Sequence, residues 1–499
     1  MFAKLCGSAL CAVAFARAQS HSQMPLSLPP PHTAEQNATI FSLIYGIPLT
    51  QYVIFGDSIA DKSDGEWKTN AFNHETTLAN ASYHTIVLPN VDTVYSEALI
   101  DLSETNVVAT MPPLEEGRFY VWPFYDVYGN NFCNLGTTKN HVPGKYLITY
   151  RPSNPGCNVA SRDGEYVGVI HMPTPYGASL LRIEVNNSSD VDYVVSSIQP
   201  NFTLSIVPTS RPYSAPLLTR GVLNDCLNST DLQLYMNGTE SVNTTAAALY
   251  LMRLTARLAA FNPPEVATDT AWVQLTLRLA GIHNGYYSTP AGVNVSLALS
   301  AASTQIAAVK RNDFEDLGHG WASLPPHLSA DFHSNYDVRA FVALKGYMEV
   351  TSDDALYPTY SIDGHLYSNQ SYLVQFFGKP QVYGFWSLTM YDGPGYLVPN
   401  DGSVYSLNNR DDITYPDGTL VRSTPADSSA SFYMLLQSTS YPIAPRWKSN
   451  WLPTPADDAQ FKFIFRLYGP APSLILGNYT YPLVTPVDHN PPLPTTTAL

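Results

Sequence analysis

The residues best suited to chemistry stand together in one short block that contains Asn90, Asp92, Thr93 and Tyr95. An amide, a carboxylate and a phenol so close in sequence could bind a polar ligand or transfer protons as general acids and bases. Pro89 precedes the block and fixes an extended or turn geometry, which aims Asn90 and Asp92 out of regular strand pairing. The competing interpretation is a turn in which these two side chains accept backbone N–H groups while Thr93 and Tyr95 face the core.

Charged residues also lie within or beside apolar segments, namely Arg118, Asp126, Arg182, Arg339 and Arg466. A charge in such a place is seldom buried unless it is paired, because desolvation is costly. A pair with Asp92 or Asp126 would be either part of the architecture or an anion-binding pocket. We therefore predict catalytic roles for Asp92, Tyr95 and Asp126, and ligand binding by Asn90, Arg118, Asn130 and Arg339.

A second constellation, Phe55–Asp61, resembles the F-G-D-S-x-x-D block of GDS-type serine esterases, in which a nucleophilic serine follows an apolar strand. Tyr52–Phe55 would be that strand, and Asp316 and His319 have the spacing of the other two triad members. The oxyanion-hole block is matched only by Gly221–Asp225, which is one residue too long. The α/β alternation of such a fold is missing. The alternative is that the segment prolongs the preceding helix or loop.

Signals for metals and cofactors are weak. His327, Asp331 and His333 could approach one another, but they form neither H-E-x-x-H nor H-x-H, and loop histidines are the simpler interpretation. Glycine-rich phosphate loops and dinucleotide fingerprints are absent from the sequence. We predict no metal and no cofactor. Aromatic residues beside Asn and Asp suit a glycan or an aromatic small molecule as the ligand.

The N-terminus predicts export. Residues 1–18 combine Lys4, an apolar stretch over Leu5–Phe15 and an A-x-A cleavage site before Gln19. The stretch is too short to span a bilayer, which takes about 20 residues, and we expect no membrane span after it. Eleven Asn-x-Ser/Thr acceptors fit a eukaryotic secretory glycoprotein. They are Asn37, Asn80, Asn186, Asn187, Asn201, Asn228, Asn237, Asn243, Asn294, Asn369 and Asn478.

Cysteine content and charge agree with export. Cys133, Cys157 and Cys226 remain after removal of the signal peptide, and an oxidising compartment would pair two of them. We predict a Cys133–Cys157 disulfide because these two are closest in sequence, which leaves Cys226 buried or free. The net charge of −15, without a run of Lys or Arg, makes nucleic acid an unfavourable partner.

Strand and turn signals predict a mainly β protein with two β-sandwich or jelly-roll-like domains and a helical connecting region. The predicted segments are an N-terminal β domain at 36–210, the helical region at 211–335, a C-terminal β domain at 336–488 and a flexible tail at 489–499. The helices are predicted over Ala246–Ala260 with Thr244 as the cap, Asp269–Leu279 and Leu297–Lys310.

Ordered blocks across nearly the whole mature chain resemble one known family. They include Tyr45–Leu49, Pro89–Tyr95, Gly117–Tyr120, Asp126 with Asn130 or Asn131, Tyr336–Ala340, Phe385–Asp392 and Asn450–Pro455. The pattern is similar to the paired domains of unknown function twelve-fifty-four (N-terminal) and twelve-fourteen (C-terminal), here as a secreted, fungal-type member. The resemblance implies two β-sandwich-like domains and an oligomer, but no reaction. Asn400–Tyr405 lacks the Pro and Arg of the family's N-P-x-N-R-Y turn, so any ion pair of that Arg is lost or replaced.

These observations lead to three functional hypotheses. The first is an enzyme of a secretory or secondary-metabolite pathway that tailors a small polar or aromatic molecule in a pocket built around Asn90, Asp92, Tyr95 and Arg118. The second is a non-catalytic extracellular binding or surface protein, and the third is the Ser58 esterase. A carboxylate with a perturbed pKa in a cleft would favour the enzyme, whereas a satisfied turn without a cleft would favour the binding protein.

Overall fold

Two strand-rich regions flank a layer of helices. The structure is a computed structural model that describes residues 33–494 except 64, 83–87, 140, 160–163, 210–212, 223–230, 233–234, 236–242 and 361–365. The main helices are α1 (Ala34–Lys62), α2 (Thr244–Ala259), α3 (Thr270–Leu279), α4 (Val295–Asn312) and α5 (Tyr336–Gly346). Short helical turns occur at Val191–Tyr193 and Pro472–Ile475. The predicted mainly β fold with helices between the sheets is confirmed.

The N-terminal strands form two five-stranded sheets with the orders β1-β2-β9-β4-β5 and β10-β3-β6-β8-β7. The strands are β1 (Asn73–His74), β2 (Thr93–Asp101), β3 (Thr105–Met111), β4 (Tyr120–Asp126), β5 (Asn131–Gly136), β6 (Gly144–Tyr150), β7 (Gly156–Val159), β8 (Gly168–Met172), β9 (Tyr176–Glu184) and β10 (Thr203–Pro208). Alternating apolar residues, such as Val94 and Ala98 of β2 and Val107 and Ala109 of β3, meet in one core. The other face of β2 is left to contact the helices and the C-terminal strands.

The C-terminal strands form an eight-stranded and a four-stranded sheet, and one short pair of strands between α3 and α4 forms a sheet of its own. The remaining strands are β11 (Ile282–His283), β12 (Tyr286–Tyr287), β13 (Glu315–Gly318), β14 (Trp321–Ser323), β15 (Ala355–Leu356), β16 (Thr359–Tyr360), β17 (Leu366–Tyr367), β18 (Ser371–Phe376), β19 (Trp386–Asp392), β20 (Ser406–Asn408), β21 (Phe432–Ser438), β22 (Trp451–Thr454), β23 (Gln460–Tyr468) and β24 (Leu483–Val487). Phe463 and Phe465 of β23 share a core with Phe376 and Phe432 of the smaller sheet. The jelly-roll topology stays a prediction.

The helix α1 is the centre of the helical layer and packs against α2, α3, α4 and α5. It is long and apolar enough to cross a bilayer by length and composition, and 78% of its most apolar window is buried. Such burial is typical of a core helix. The close approach to α2 depends on Gly46, because a Cβ there would stand 1.9 Å from Thr255 Oγ1.

Local details differ from the sequence-based expectations. Asn243, and not Thr244, caps α2 by accepting the Ala246 N–H at 3.1 Å. Tyr336, where strand signals are predicted to return, begins the helix α5. The predicted flexible tail is anchored at its start, since Asn490 Oδ1 accepts the Ala444 N–H at 2.7 Å. Residues 495–499 of that tail lie outside the described part of the chain.

Candidate functional site

The competing interpretation, a turn in which Asn90 and Asp92 both accept backbone N–H groups, holds for Asn90 but not for Asp92, which accepts side-chain donors. Asn90 Oδ1 accepts the Asp92 backbone N–H at 2.6 Å, and Asn90 Nδ2 donates to Tyr468 Oη of β23 at 2.6 Å. Both side chains are buried. Asn90 therefore closes a local turn with one bond and joins the N-terminal region to β23 with the other. Asn90 is fully engaged by this turn.

Asp92 belongs to an ion-pair network that crosses between the two strand-rich regions. Its Oδ1 accepts Arg410 Nη2 at 2.6 Å, and Arg410 Nη1 donates to Glu184 Oε1 at 2.5 Å. The guanidinium carbon of Arg410 lies 4.5 Å from the ring centroid of Phe385. Arg118, predicted to bind a ligand, instead pairs with Asp190 at 2.6 Å. Both arginines therefore hold the scaffold together.

The turn that departs from the family pattern is closed by its own asparagine. Asn400 Oδ1 accepts the Val404 N–H at 2.9 Å, and Asn400 Nδ2 donates to Val398 O at 3.0 Å. Ser403 takes a positive φ of 50° within this turn. The absent Pro and Arg therefore leave a turn that hydrogen bonds still define.

Two buried arginines flank Tyr95 where the two regions meet. Arg182 lies directly opposite Tyr95 in the β2–β9 pair, with its guanidinium carbon 5.8 Å from the Tyr95 ring centroid. Arg182 Nη2 donates to Met348 O at 2.7 Å, and Arg466 Nη2 donates to Leu88 O at 2.8 Å. Among the described residues, neither guanidinium hydrogen-bonds a carboxylate. The cluster of Tyr95, Arg182, Tyr357, Arg466 and Tyr468 is here called the junction site.

Two of the three tyrosines of the junction site are only partly buried, whereas Tyr468 is fully buried. Tyr95 and Tyr357 keep part of their surface accessible. Burial nevertheless raises the pKa of both phenols far above the ordinary value. Junctions between domains are common places for small-molecule sites.

The pKa of one carboxyl group beside the junction site is raised toward neutral pH. Glu349 follows Met348, whose carbonyl holds Arg182, and its charge acts on Tyr125 and Tyr357. Burial raises the pKa of Glu349 to about 7. A group with such a pKa can both accept and donate a proton near neutral pH.

A second polar cluster, here called the acidic centre, lies at the end of β4 and near α5. Asp126 Oδ2 accepts Asn130 Nδ2 at 2.7 Å, and burial raises the pKa of Asp126 to about 6. Arg339 is 1% exposed and lies among three tyrosine rings, 4.4–4.8 Å from their centroids. The centre also contains Glu265 and Asp331, and burial and the Asp331 charge raise the pKa of Glu265 well above its usual range.

The acidic centre holds several buried polar atoms that have no hydrogen-bond partner among the described residues. They are Arg339 Nε and Nη1, Asn130 Oδ1, Glu265 Oε2 and Asp331 Oδ1. Buried polar atoms are normally hydrogen-bonded. The concentration of exceptions marks this centre as a candidate binding place, and it includes three predicted residues, Asp126, Asn130 and Arg339.

The esterase hypothesis fails on local geometry. The predicted strand Tyr52–Phe55 is wrong, because these residues belong to α1. Ser58 lies on the same helix and donates to Phe55 O at 2.8 Å, as a helical serine does. His319 Nδ1 lies 2.7 Å from Tyr481 O. The segment prolongs the helix, which was the alternative interpretation.

A surface cleft of about 660 Å³ lies in the C-terminal region, lined by residues that include Asp392, Pro394, Pro399 and Ala456. Asp392 Oδ1 accepts the backbone N–H groups of Gly395 and Tyr396 at 2.8 and 2.7 Å. The carboxylate of the cleft is therefore engaged in its own turn. We regard the cleft as a weaker candidate than the junction site.

The predicted modification sites are one disulfide and eleven glycosylation acceptors. The Cys133–Cys157 disulfide is present and joins β5 to β7, with a Cα–Cα distance of 5.2 Å. All nine described acceptor asparagines are exposed. Asn228, Asn237 and Cys226 lie outside the described residues.

Two family models match the chain. The model described as "Protein of unknown function (DUF1254)" matches residues 69–205, and "Protein of unknown function (DUF1214)" matches residues 354–472. The chain belongs to this two-domain family. The first model contains Asn90, Asp92, Tyr95 and Arg182, and the second contains Arg410 and Arg466. The junction site therefore combines residues of both domains.

A solved structure shares the fold of this chain. The VPA0106 protein from Vibrio parahaemolyticus aligns with a TM-score of 0.60 at 15% identity, covering 91% of this chain and 100% of that one. An uncharacterised protein from Burkholderia cenocepacia aligns with a TM-score of 0.40 at 12% identity, covering 91% and 96%. No curated protein matches the chain.

Proposed function

We propose that the protein binds a small organic anion at the junction site and modifies it as an enzyme of the secretory pathway. The observation that carries the proposal is the pair of buried guanidinium groups, Arg182 and Arg466, beside the partly buried Tyr95. Buried cations are costly unless a negative charge balances them. A bound carboxylate would supply that charge.

The walls of the junction site favour an aromatic acid over a sugar. Tyr95, Tyr357 and Tyr468 surround the two guanidinium groups, and Tyr468 stacks on Phe385 with ring centroids 4.5 Å apart. Aromatic walls suit a flat apolar body, while arginines suit a carboxylate. The proposed ligand class is therefore small aromatic carboxylic acids, such as those of secondary metabolism.

Glu349 supports an enzyme over the non-catalytic binding protein. Its pKa of about 7 lies near the range in which a general acid or base works best. A binding protein would need the arginines but not a carboxyl group of this kind. The partial exposure of Glu349 leaves it reachable by solvent and ligand.

The distribution of asparagines supports the secreted glycoprotein. All nine described acceptor asparagines are exposed, whereas only three of the eighteen other described asparagines are. A glycan can be attached only to an accessible asparagine. The expected result for the secreted product is an N-terminus at Gln19 and a mass that falls on treatment with an N-glycosidase. An unchanged mass with Met1 retained would contradict this part of the proposal.

The ligand proposal is tested by calorimetric titration of the full chain with benzoate and with its neutral amide, benzamide. We expect measurable binding of benzoate, and binding of benzamide at least tenfold weaker. Arg466→Gln should lose the preference for the anion. Arg422→Gln is the matched control, because Arg422 is an exposed arginine paired with Asp412, and it should bind like the wild type. Equal binding of both probes would overturn the ligand class.

The enzyme proposal is tested in a producing strain that lacks the gene. We expect its metabolite profile to change, and the wild-type gene to restore it. Glu349→Gln should bind benzoate but fail to restore the profile. If Glu349→Gln restores it fully, the non-catalytic binding protein is the better description.

A further inference from the structure

We propose that Glu265, Asp331 and His333 bind a divalent transition-metal ion, with Zn²⁺ as the best fit. One ligand atom from each residue lies within 4.8 Å of the other two. Oxygen and imidazole nitrogen atoms around a zinc ion stand about 2.0–2.2 Å from the metal, so ligand atoms of one ion lie within this spacing of each other. The inference concerns the acidic centre and is independent of the function proposed for the junction site.

The carboxylate oxygens of this group are available. Glu265 Oε2 and Asp331 Oδ1 are buried and have no hydrogen-bond partner among the described residues. His333 Nδ1 stands 3.4 Å from Asp331 Oδ1, and the His333 side chain is 58% exposed. The two buried oxygens can coordinate an ion, and the exposed imidazole lets the ion reach them from solvent.

The charge of the acidic centre favours a dication. Asp126 and Asp331 both act on Glu265, so three carboxylates share this region with one guanidinium, that of Arg339. Once a metal ion has displaced the Glu265 proton, as ligation requires, the formal balance of these four groups is −2. Among the described residues, Arg339 forms no ion pair with these carboxylates: its Nη2 donates to Tyr45 O at 3.3 Å and its guanidinium lies among aromatic rings. A divalent cation would balance the remaining charge.

The ligand types point to a transition metal. Ca²⁺ and Mg²⁺ prefer oxygen ligands throughout, whereas Zn²⁺ accepts imidazole together with carboxylates. Three protein ligands also leave a coordination position open, as in catalytic zinc sites. Ala330 and His333 have positive φ angles of 64° and 50° on either side of Asp331. Asp331 and His333 therefore stand in a loop of unusual backbone conformation, with their ligand atoms within 4.8 Å of each other.

The site is tested with the full chain after treatment with a chelator. Calorimetric titration should show about one equivalent of Zn²⁺ bound, with Ca²⁺ and Mg²⁺ at least a hundredfold weaker. His333→Ala should weaken Zn²⁺ binding at least tenfold, and because His333 is exposed this variant should fold normally. His327→Ala is the matched control, since His327 is an exposed histidine of the same segment outside the group, and it should bind like the wild type.

A second readout separates ligation from general charge attraction. Co²⁺ bound in place of Zn²⁺ should give a visible absorption spectrum that changes in His333→Ala and in Asp331→Asn, but not in His327→Ala. The proposal is overturned if no Zn²⁺ binds, if Ca²⁺ binds as tightly as Zn²⁺, or if His333→Ala retains both the affinity and the cobalt spectrum. Loss of benzoate binding would not bear on it, because benzoate tests the junction site.

Discussion

Arg410 Nη2 donates to Asp92 Oδ1 at 2.6 Å across 318 residues of sequence. The same guanidinium donates to Glu184 at 2.5 Å, so one cation of the C-terminal domain serves two carboxylates of the N-terminal domain. Asp92 is 3% exposed, and its second oxygen has no hydrogen-bond partner among the described residues. Among the described residues Arg410 is the one cation paired with Asp92, whose Oδ1 also accepts Asn408 Nδ2 at 3.2 Å.

Replacement of Arg410 by Gln should destabilise the protein strongly. The change leaves two largely buried carboxylates without their cation, and breaking a buried ion pair costs about 3–5 kcal/mol. Arg410 keeps some exposure, so we expect the free energy of unfolding to fall by about 3 kcal/mol. Urea denaturation followed by fluorescence measures the change.

The matched control for Arg410 is Arg422→Gln. Arg422 pairs with Asp412 on the surface, where both side chains are well exposed, and such pairs contribute about 0–1 kcal/mol. The two variants should therefore differ clearly in urea midpoint. Equal midpoints would show that the network around Asp92 is not a stability element.

The role of Arg410 could not be read from the sequence. Helices such as Thr270–Leu279 and the Cys133–Cys157 pair follow from local periodicity and short spacing, and both were predicted. Arg410 stands in a polar turn with no apolar pattern around it. Its partners Asp92 and Glu184 become its neighbours only when the two domains pack together. No local sequence pattern predicts that packing.

Glu349→Gln should change how stability depends on pH. The folded pKa of about 7 lies above the ordinary value of 4.5, so the native state holds its proton more tightly than the unfolded chain. The wild type should therefore lose stability as the pH rises from about 4.5 to 7, by about 2 kcal/mol after allowance for partial exposure. The Gln variant does not titrate at this position. Its advantage over the wild type should be absent at pH 4 and complete at pH 8.

Glu315→Gln serves as the control for this experiment, because Glu315 is exposed on β13. Its free energy of unfolding should follow that of the wild type at every pH. Urea denaturation at five or six pH values between 4 and 8 gives both curves. Parallel curves for Glu349→Gln and the wild type would show that Glu349 titrates normally.

The junction site was only partly predictable. Tyr95 stood out by motif, and Arg182 and Arg466 by their charges within apolar strands. Tyr357 and Glu349 lie in irregular backbone after the end of α5. In such a segment the residue type alone does not predict how deeply a side chain is buried. The apolar segment before Ser58 led to a wrong strand prediction, because short apolar runs occur in buried helices and in buried strands alike.

Gly46→Ala should destabilise the helical layer. An added Cβ would stand 1.9 Å from Thr255 Oγ1, so α1 and α2 would have to move apart, at about 2–3 kcal/mol. The thermal midpoint should fall, and Gly46→Ala with Thr255→Ala should recover part of the loss because the clashing hydroxyl is gone. Gly221→Ala is the control, since its nearest atom would be 3.6 Å away. A neutral Gly46→Ala would mean that the helices are less closely packed than the structure indicates.

Loss of the Cys133–Cys157 bond should destabilise the N-terminal domain, because the unfolded chain gains conformational entropy when the bond is absent. The bond closes a loop of 24 residues and links β5 of one sheet to β7 of the other. Loop-closure entropy for this length corresponds to about 3 kcal/mol. The comparison is made in a Cys226→Ala background, so that no third thiol can pair. Cys133→Ala with Cys157→Ala should then unfold at lower urea, and the oxidised parent should match it once reduced. If reduction leaves the parent's midpoint unchanged, the bond does not stabilise this domain.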